Sequence, residues 1–328
     1  MTTSHPTWVD VTIGALNGVL GDYLVERGNT LATPMVVVKG NEPVALEEEV
    51  FAQAVPEATP KVCVLVHGLC CTEAFWEFPT APGTSYGTLL RDELGFTPVF
   101  LRYNTGLRIS ENGRALAGLL ARLMDVYPVR VDDLTLLGHS MGGLVIRSAC
   151  LVAEQERMPW LDRLQRALYI GSPHLGAPLE KVGNVAAAVL GAVPDPFTRL
   201  ARDLINRRSI GIKDLRHGHI KDDDWAGLDP DDVLTGSRTT VPLRKGIRHH
   251  IVAGTLTRNE NHLMGKLFGD AMVPLRSATK PAEPAEPAAE IEGFPPEHVR
   301  IYPGMHHMRL ARDPQVYEQI RAWCQNGG

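Results

Sequence analysis

The sequence predicts an α/β protein: a mostly parallel central sheet with helices on both faces and a lid or cap inserted late in the chain. Three observations predict it. Short strand-like apolar runs alternate with helical stretches, as in Lys61–Val66, Thr97–Tyr103, Leu134–Leu137 and Arg166–Ile170. The first of these runs is almost continuously apolar, which suits a strand covered on both faces. The rhythm then breaks over 179–247 and resumes at His249–Gly254, so the break reads as an insertion.

The elements follow in order. Residues 7–31 set Trp8, Val11, Leu16, Val19, Leu20, Tyr23 and Leu24 largely at helical spacing, which predicts an amphipathic opening helix or helix pair. Such a helix either closes one end of the core or lies against lipid, and the core reading carries more weight. Met35–Lys39 is β-branched between Pro34 and Gly40 and predicts a strand. Residues 43–55, with Glu47-Glu48-Glu49, read as an exposed edge segment. The strand Lys61–Val66 runs into His67-Gly68-Leu69. Residues 72–95 carry Phe75, Trp76, Phe78, Pro79 and Tyr86 and predict an aromatic loop, then a short helix over 86–94. That loop either walls a pocket or packs on the surface. After the strand at 97–103 and the turn Asn104-Thr105-Gly106, a helix is expected over 110–127. Leu116, Leu119, Leu120, Leu123 and Tyr127 share one of its faces, and Pro128 ends it.

The strand Leu134–Leu137 leads into Gly138-His139-Ser140-Met141-Gly142 and a helix from Leu144 to Ala153. This is the strand–turn–helix setting in which G-x-S-x-G forms a nucleophile elbow. A Cβ at 138 or 142 is expected to strike neighbouring backbone. The turn lifts the Ser140 hydroxyl out of the sheet, and the next helix points free N–H groups at the same spot. Arg166–Ile170 is the next strand, followed by Gly171-Ser172-Pro173-His174-Leu175-Gly176-Ala177-Pro178. Within 179–247, Val182–Val193 is small and apolar, Phe197–Asn206 is helical, and 213–246 is polar and turn-rich. The apolar helix lines an acyl pocket or simply packs on the sheet. A loop with Gly269-Asp270-Ala271-Met272-Val273-Pro274 follows the strand at 249–254. Residues 279–296 are rich in Pro, Ala and Glu and read as a mobile solvated connector. The last strand is His298–Tyr302, then Pro303 to His307. A closing helix starts at Asp313-Pro314 and reaches Cys324. The whole chain, 1–328, reads as one domain carrying the cap.

Composition narrows the partners. The net charge is −5 and the basic residues are scattered, so a nucleic-acid surface is excluded. There is no apolar stretch of about 18 residues, hence no expected membrane span, and no signal-peptide pattern at the start. Five cysteines, an odd number without an export signal, predict reduced thiols in a cytoplasmic protein.

The chemistry-bearing residues come in the order Ser140, Asp270, His307. Serine is a weak nucleophile at neutral pH and needs a base within hydrogen-bond reach, and the base needs a carboxylate to fix its tautomer. Asp270 follows one strand and His306-His307 the next, so both are expected on loops beside the elbow. The backbone N–H groups of Leu69 and Met141 would form the oxyanion hole. Asp195 and Asp229 are rival acids on the insertion. His306 rivals His307, and His174 is a weaker alternative. His139 is expected to pack beside the serine. His217, His219 and Asp222–Asp224 form either a metal set or a solvated polar loop, and spacing alone defines no ligand set.

These segments together resemble the α/β-hydrolase superfamily, in its lipase/esterase branch. His67-Gly68, Gly138–Gly142, Ser172–Pro178, Gly269–Pro274 and His307-Met308-Arg309-Leu310 carry the resemblance, over about 60–310. Within that branch, Leu136–Arg147 and the Pro-His-Leu-Gly segment are similar to bacterial esterases related to the GPI inositol-deacylase and lecithin–cholesterol acyltransferase lipases. The resemblance implies hydrolysis of carboxylic esters through an acyl-enzyme, with no cofactor and no metal. The substrate would be a small-molecule ester with an apolar acyl group. Family members usually show the catalytic histidine two or three residues before a leucine, which fits His307 with Leu310 better than His306. In these lipases the residue matching His174 is usually structural. The first 50 residues and the insertion fit no general family pattern. The same machinery would also serve acyl transfer, or amide or thioester cleavage. A non-catalytic binding module on this scaffold would be expected to show a broken serine–acid–histidine set.

Overall fold

The computed structural model describes residues 8–174, 209–224, 242–255 and 294–325. Several expectations lie outside these residues: the acids Asp195, Asp229 and Asp270, the helical stretches Val182–Val193 and Phe197–Asn206, and most of the connector at 279–296.

The apolar run Lys61–Val66 is strand β3, with every side chain after Lys61 buried. It pairs in parallel with Thr97–Arg102 (β4) on one side and Asp133–His139 (β5) on the other. From β5 the sheet continues in parallel through Leu164–Ile170 (β6), Arg248–Thr255 (β7) and Val299–Pro303 (β8). On the far side of β4, Val36–Lys39 (β1) pairs antiparallel with β4 and with Glu42–Val44 (β2). The order is β2-β1-β4-β3-β5-β6-β7-β8. This is the mostly parallel sheet expected.

The topology already indicates where a ligand belongs. From β3 the chain moves outward to β4, then returns past β3 to β5. The reversal leaves a crevice at the carboxyl ends of β3 and β5, the preferred binding position in open α/β sheets. His67–Leu69 leaves one of those ends, and Ser140 leaves the other.

Helices cover the sheet. Among them are Trp8–Glu26 (α1), Glu48–Ala54 (α2), Tyr86–Leu94 (α3), Ile109–Val126 (α4) and Met141–Gln155 (α5). Later in the chain come Ile210–His217 (α6) and Pro314–Gln325 (α7). The leucine stripe of α4 is buried as its spacing demands, with Leu116, Leu120 and Leu123 at 0% exposure. Helix α3 is fixed at both ends. Ser85 and Thr88 form a reciprocal cap, and Gly95 takes the left-handed conformation at the exit.

One segment differs from expectation, and in a second the structure decides between two readings. Residues 43–55 are not one exposed edge. The turn Gly40-Asn41, with both residues at positive φ, closes a two-residue hairpin into β2, and α2 then buries Phe51. A lone phenylalanine among glutamates gives little periodic signal, yet it anchors that helix beneath Tyr127, with ring centroids 6.0 Å apart. The aromatic loop at 72–95 is not a surface loop. Glu73–Trp76 is a 3-10 turn, and Phe75, Trp76 and Phe78 are buried.

At the amino ends of the strands, Arg166 is buried and donates from Nη1 to both Asp133 carboxylate oxygens at 2.8 Å. Its Nε donates to the Trp323 carbonyl at 3.2 Å. These bonds tie β5, β6 and α7 together far from the crevice, with the buried charge paired as burial requires.

Three buried histidines make stability depend on pH. Burial above all holds His67 and His249 at about 4 and His250 at about 3. Both ring nitrogens of His250 are sealed without a partner, and its ring is stacked on Trp323 at 4.4 Å. In an unfolded chain these rings titrate near about 6.5. The unfolded state therefore binds more protons below that value. The stability is full above about pH 6.5 and is lost as pH falls toward the folded values. The expected loss is up to about 4 kcal/mol per pH unit for the three rings together. Urea unfolding midpoints should fall steeply between pH 6.5 and 5. A flat midpoint over that range would show that these rings do not remain neutral in the fold.

Candidate active site

Ser140 sits between β5 and α5 with φ 54° and ψ −123°. Positive φ is uncommon for a residue with a side chain and marks stored strain. The strain is held by close backbone. The Ser140 N–H donates to the Ile170 carbonyl at 2.8 Å, and the Gly143 N–H donates to the Ser140 carbonyl at 3.1 Å. A Cβ on Gly142 would come within 2.2 Å of the Val66 carbonyl oxygen, and one on Gly138 within 2.5 Å of the Gly143 nitrogen. The glycines at 138 and 142 thus have the cause the sequence suggested. The N–H of Met141 is the first of α5 and belongs to the set with no acceptor inside the helix.

The end of β3 meets the elbow directly. A Cβ on Gly68 would lie 2.9 Å from the Ser140 Cβ. The turn from Gly68 to Cys71 closes with the Cys71 N–H donating to the Gly68 carbonyl at 3.2 Å. Leu69 and Cys70 are its central residues, and Cys70 has φ 61°. The turn's own bond does not use the Leu69 N–H. The turn is clamped from several sides. The Cys70 N–H donates to Thr105 Oγ1 at 3.0 Å. Tyr103 donates its hydroxyl to the His67 carbonyl at 2.7 Å, and its ring stacks on that of His67 at 4.4 Å.

Sequence reasoning missed the largest clamp. Helix α1 lies against this turn along a face of small residues. A Cβ on Gly18 would come 2.3 Å from Cys70 Sγ and 2.8 Å from its Cα, and one on Gly14 would come 2.6 Å from Thr72 Cγ2. The spacing Gly14, Gly18, Gly21 was the available signal, but an apolar-periodicity reading follows only the large residues. The Gly18 carbonyl also accepts from Ser209 Oγ at 2.7 Å, which ties the start of α6 to the same helix. Gly18→Ala is therefore expected to displace the Leu69–Cys70 turn. If the Leu69 N–H serves the reaction, kcat should fall by up to about a hundredfold with KM little changed. Unchanged steady-state kinetics in a folded Gly18→Ala protein would separate α1 from the turn's role.

His307 opens the 3-10 helix His307–Ala311. Its ring lies 4.7 Å from the His139 ring, centroid to centroid, and its carbonyl oxygen is 3.2 Å from His139 Nε2. A Cβ on Gly171 would lie 3.0 Å from His307 Nδ1. Gly171 directly follows Ile170, whose carbonyl holds the Ser140 amide. Ser140 and His307 thus each border the end of β6, one through the Ile170 carbonyl and the other beside Gly171, with the Gly68 turn next to the serine. His306 is exposed, and His307 is turned inward.

The other histidines have different surroundings. His139 is buried among the rings of Phe75, Trp76 and His307. Burial first, and then His307, holds it well below the ordinary histidine range, so it stays neutral. His174 packs edge-on against Tyr169 at 4.7 Å and meets Arg147 Nη1 at 3.4 Å from its Nδ1. It belongs to a cluster with His249 and Phe294 rather than to the elbow. His217 and His219 stack on each other at 5.1 Å. Asp222 pairs with Arg114 at 2.5 Å, and Asp224 accepts from the Ile220 and Lys221 N–H groups. Among the described residues no three His, Cys, Asp or Glu side chains come together to hold a metal.

The five cysteines are buried and unpaired. Burial pushes the thiols of Cys71, Cys150 and Cys324 up to about 12, so none is a nucleophile at neutral pH. No helix among the described residues is long and apolar enough to cross a membrane.

Residues 103–241 match the family model described as a PGAP1-like alpha/beta domain. No curated protein sequence matches the chain. Among solved structures, the chain is similar to the mature form of the Bacillus licheniformis lipase BlEst2, at 15% identity and TM-score 0.47, covering 89% of this chain and 98% of that one. It is also similar to a lipase-esterase related protein from Clostridium acetobutylicum, at 13% identity and TM-score 0.42, covering 81% and 95%. A third similar structure is the Pyrococcus furiosus esterase Pf2001, at 10% identity and TM-score 0.43, covering 81% and 80%.

Proposed function

We propose, from an α/β-hydrolase fold whose middle resembles the PGAP1-like alpha/beta domain, that this chain is a serine carboxylic-ester hydrolase. The observation that supports this reading most is the strained elbow at Ser140, with the His307 ring against the strand end that holds the serine amide. His307 takes the proton from Ser140 Oγ as the oxygen attacks the ester carbonyl. The resulting oxyanion accepts hydrogen bonds from the N–H groups of Leu69 and Met141, each worth about 3 kcal/mol in the transition state. His307 then gives its proton to the departing alcohol and leaves an acyl-serine. Water, deprotonated by the same ring, releases the acid and restores Ser140. Asp270 is the acid we assign to steady the imidazolium, by its place after β7. Hydrolysis in this form needs no cofactor and no metal.

The substrate we assign is a small-molecule ester with an apolar acyl group. The 179–247 segment is proposed as the cap over the site, within a single domain. Its described helix, α6, packs on α1 and on the turn before α4, where Arg108 Nη1 lies 3.1 Å from Asp214 Oδ1. Buried, unpaired cysteines fit a cytoplasmic setting.

A panel of 4-nitrophenyl esters, anilides and acyl-thioesters, varied in acyl length, tests the reaction class. The reading predicts highest kcat/KM on esters. Preference for thioesters or anilides, or partition of the acyl group to an added alcohol in place of water, would move the assignment to those reactions.

A further inference from the structure

Arg312 directly follows the 3-10 helix that His307 opens. Its guanidinium carbon lies 4.7 Å from the centroid of the Phe75 ring, and Phe75 stacks on His139 at 4.6 Å. One aromatic ring thus separates this cation from the residue that precedes Ser140. The side chain is half-buried, and its Nε is sealed from solvent without a hydrogen-bond partner. The groups bearing on it that could carry negative charge are the Cys71 thiol and the Tyr86 hydroxyl. Burial pushes both up, the thiol to about 12, so both are neutral at pH 7. The adjacent carboxylate, Asp313, is taken by Arg309 at 2.6 Å. Among the described residues no carboxylate lies within ion-pair distance of Arg312.

A partly buried cation without a counter-charge is costly, and stacking on one phenyl ring offsets only part of that cost. Apolar residues of similar volume would serve packing better. A guanidinium carries a planar fork of donors that matches a carboxylate or phosphate. We propose that Arg312 determines specificity: it pairs with an anionic group, carboxylate or phosphate, on the ester that Ser140 attacks. This rests on the hydrolase reading above and adds the charge of the substrate to it. Bound substrate supplies the missing partner, so the pairing lowers KM for anionic esters and leaves neutral ones unaffected.

The test uses the full chain and two matched substrate pairs. The first pair is 4-nitrophenyl butyrate against mono-4-nitrophenyl succinate, which places a carboxylate at the acyl end. The second is a monoacylglycerol against the corresponding acylglycerol phosphate, which places a phosphate on the alcohol. Arg312→Gln should lose at least tenfold in kcat/KM on the anionic member of one pair, mainly through KM. It should keep the neutral member within twofold, and Arg312→Lys should fall between. The pair that responds tells which end of the ester carries the charge. The thermal midpoint of Arg312→Gln should equal or exceed that of the unsubstituted protein, because a half-buried cation with no counter-charge among the described residues is removed. Equal losses on charged and neutral members, or no change on any substrate, would overturn the proposal. A lowered midpoint with equal losses would identify Arg312 as a packing residue and would also overturn it. Failure of the hydrolase reading is separately visible, as butyrate turnover that persists in Ser140→Ala.

Discussion

Ser140→Ala is expected to reduce ester kcat by about 10⁴- to 10⁶-fold while the protein stays folded. The loss should be this large because the hydroxyl supplies the bond-forming oxygen, and no neighbouring group replaces it. The thiols near the turn, Cys70 and Cys71, are buried and pushed far from their ionised form. His139 is neutral but enclosed by aromatic rings. The substitution removes one oxygen at a buried position, and the glycines that permit the turn remain. The unfolding midpoint should therefore change little, and alanine at positive φ costs about 1 kcal/mol, much as serine does there. The measurement is 4-nitrophenyl ester turnover with both proteins matched for folded fraction by circular dichroism. Equal rates would remove Ser140 from the reaction.

His307→Ala should cost nearly as much, and His306→Ala less than about threefold. The two rings are adjacent in sequence but differ in placement. His306 is exposed, and His307 lies against Gly171 and within ring contact of His139. Serine and its base act as one unit, so Ser140→Ala/His307→Ala should be scarcely slower than either single variant. A large loss in His306→Ala with His307→Ala active would exchange their roles. Additive losses in the double variant would show that His307 acts apart from the serine.

Much of this arrangement is legible in the residues, for physical reasons. Strands β3 and β6 are buried on both faces, so their sequences are nearly continuous apolar runs, and the elbow needs glycine where backbone approaches within about 2–3 Å of a Cβ. Helix α4 shows a wide apolar stripe because one of its faces is buried, packed chiefly against α5. Other features leave no such trace. The face of α1 that seats the Leu69–Cys70 turn is made of glycines, which periodicity counts as gaps. Helix α2 depends on the single buried Phe51. Arg312 looks like any basic residue near a helix start until its surroundings, Phe75, Cys71 and Tyr86, show no counter-charge among the described residues. Residues distant in sequence create that environment, so no local pattern encodes it. The acid is the remaining case. Asp270 is assigned by chain order, and its loop lies outside the described residues.

The central claim is that one strained serine is the nucleophile. Labelling with a fluorophosphonate, followed by peptide mass spectrometry, tests it most directly. The account predicts a single adduct on Ser140, formed rapidly, lost in Ser140→Ala and strongly slowed in His307→Ala. An adduct on another residue, or none on Ser140 in protein shown to be folded, would contradict it.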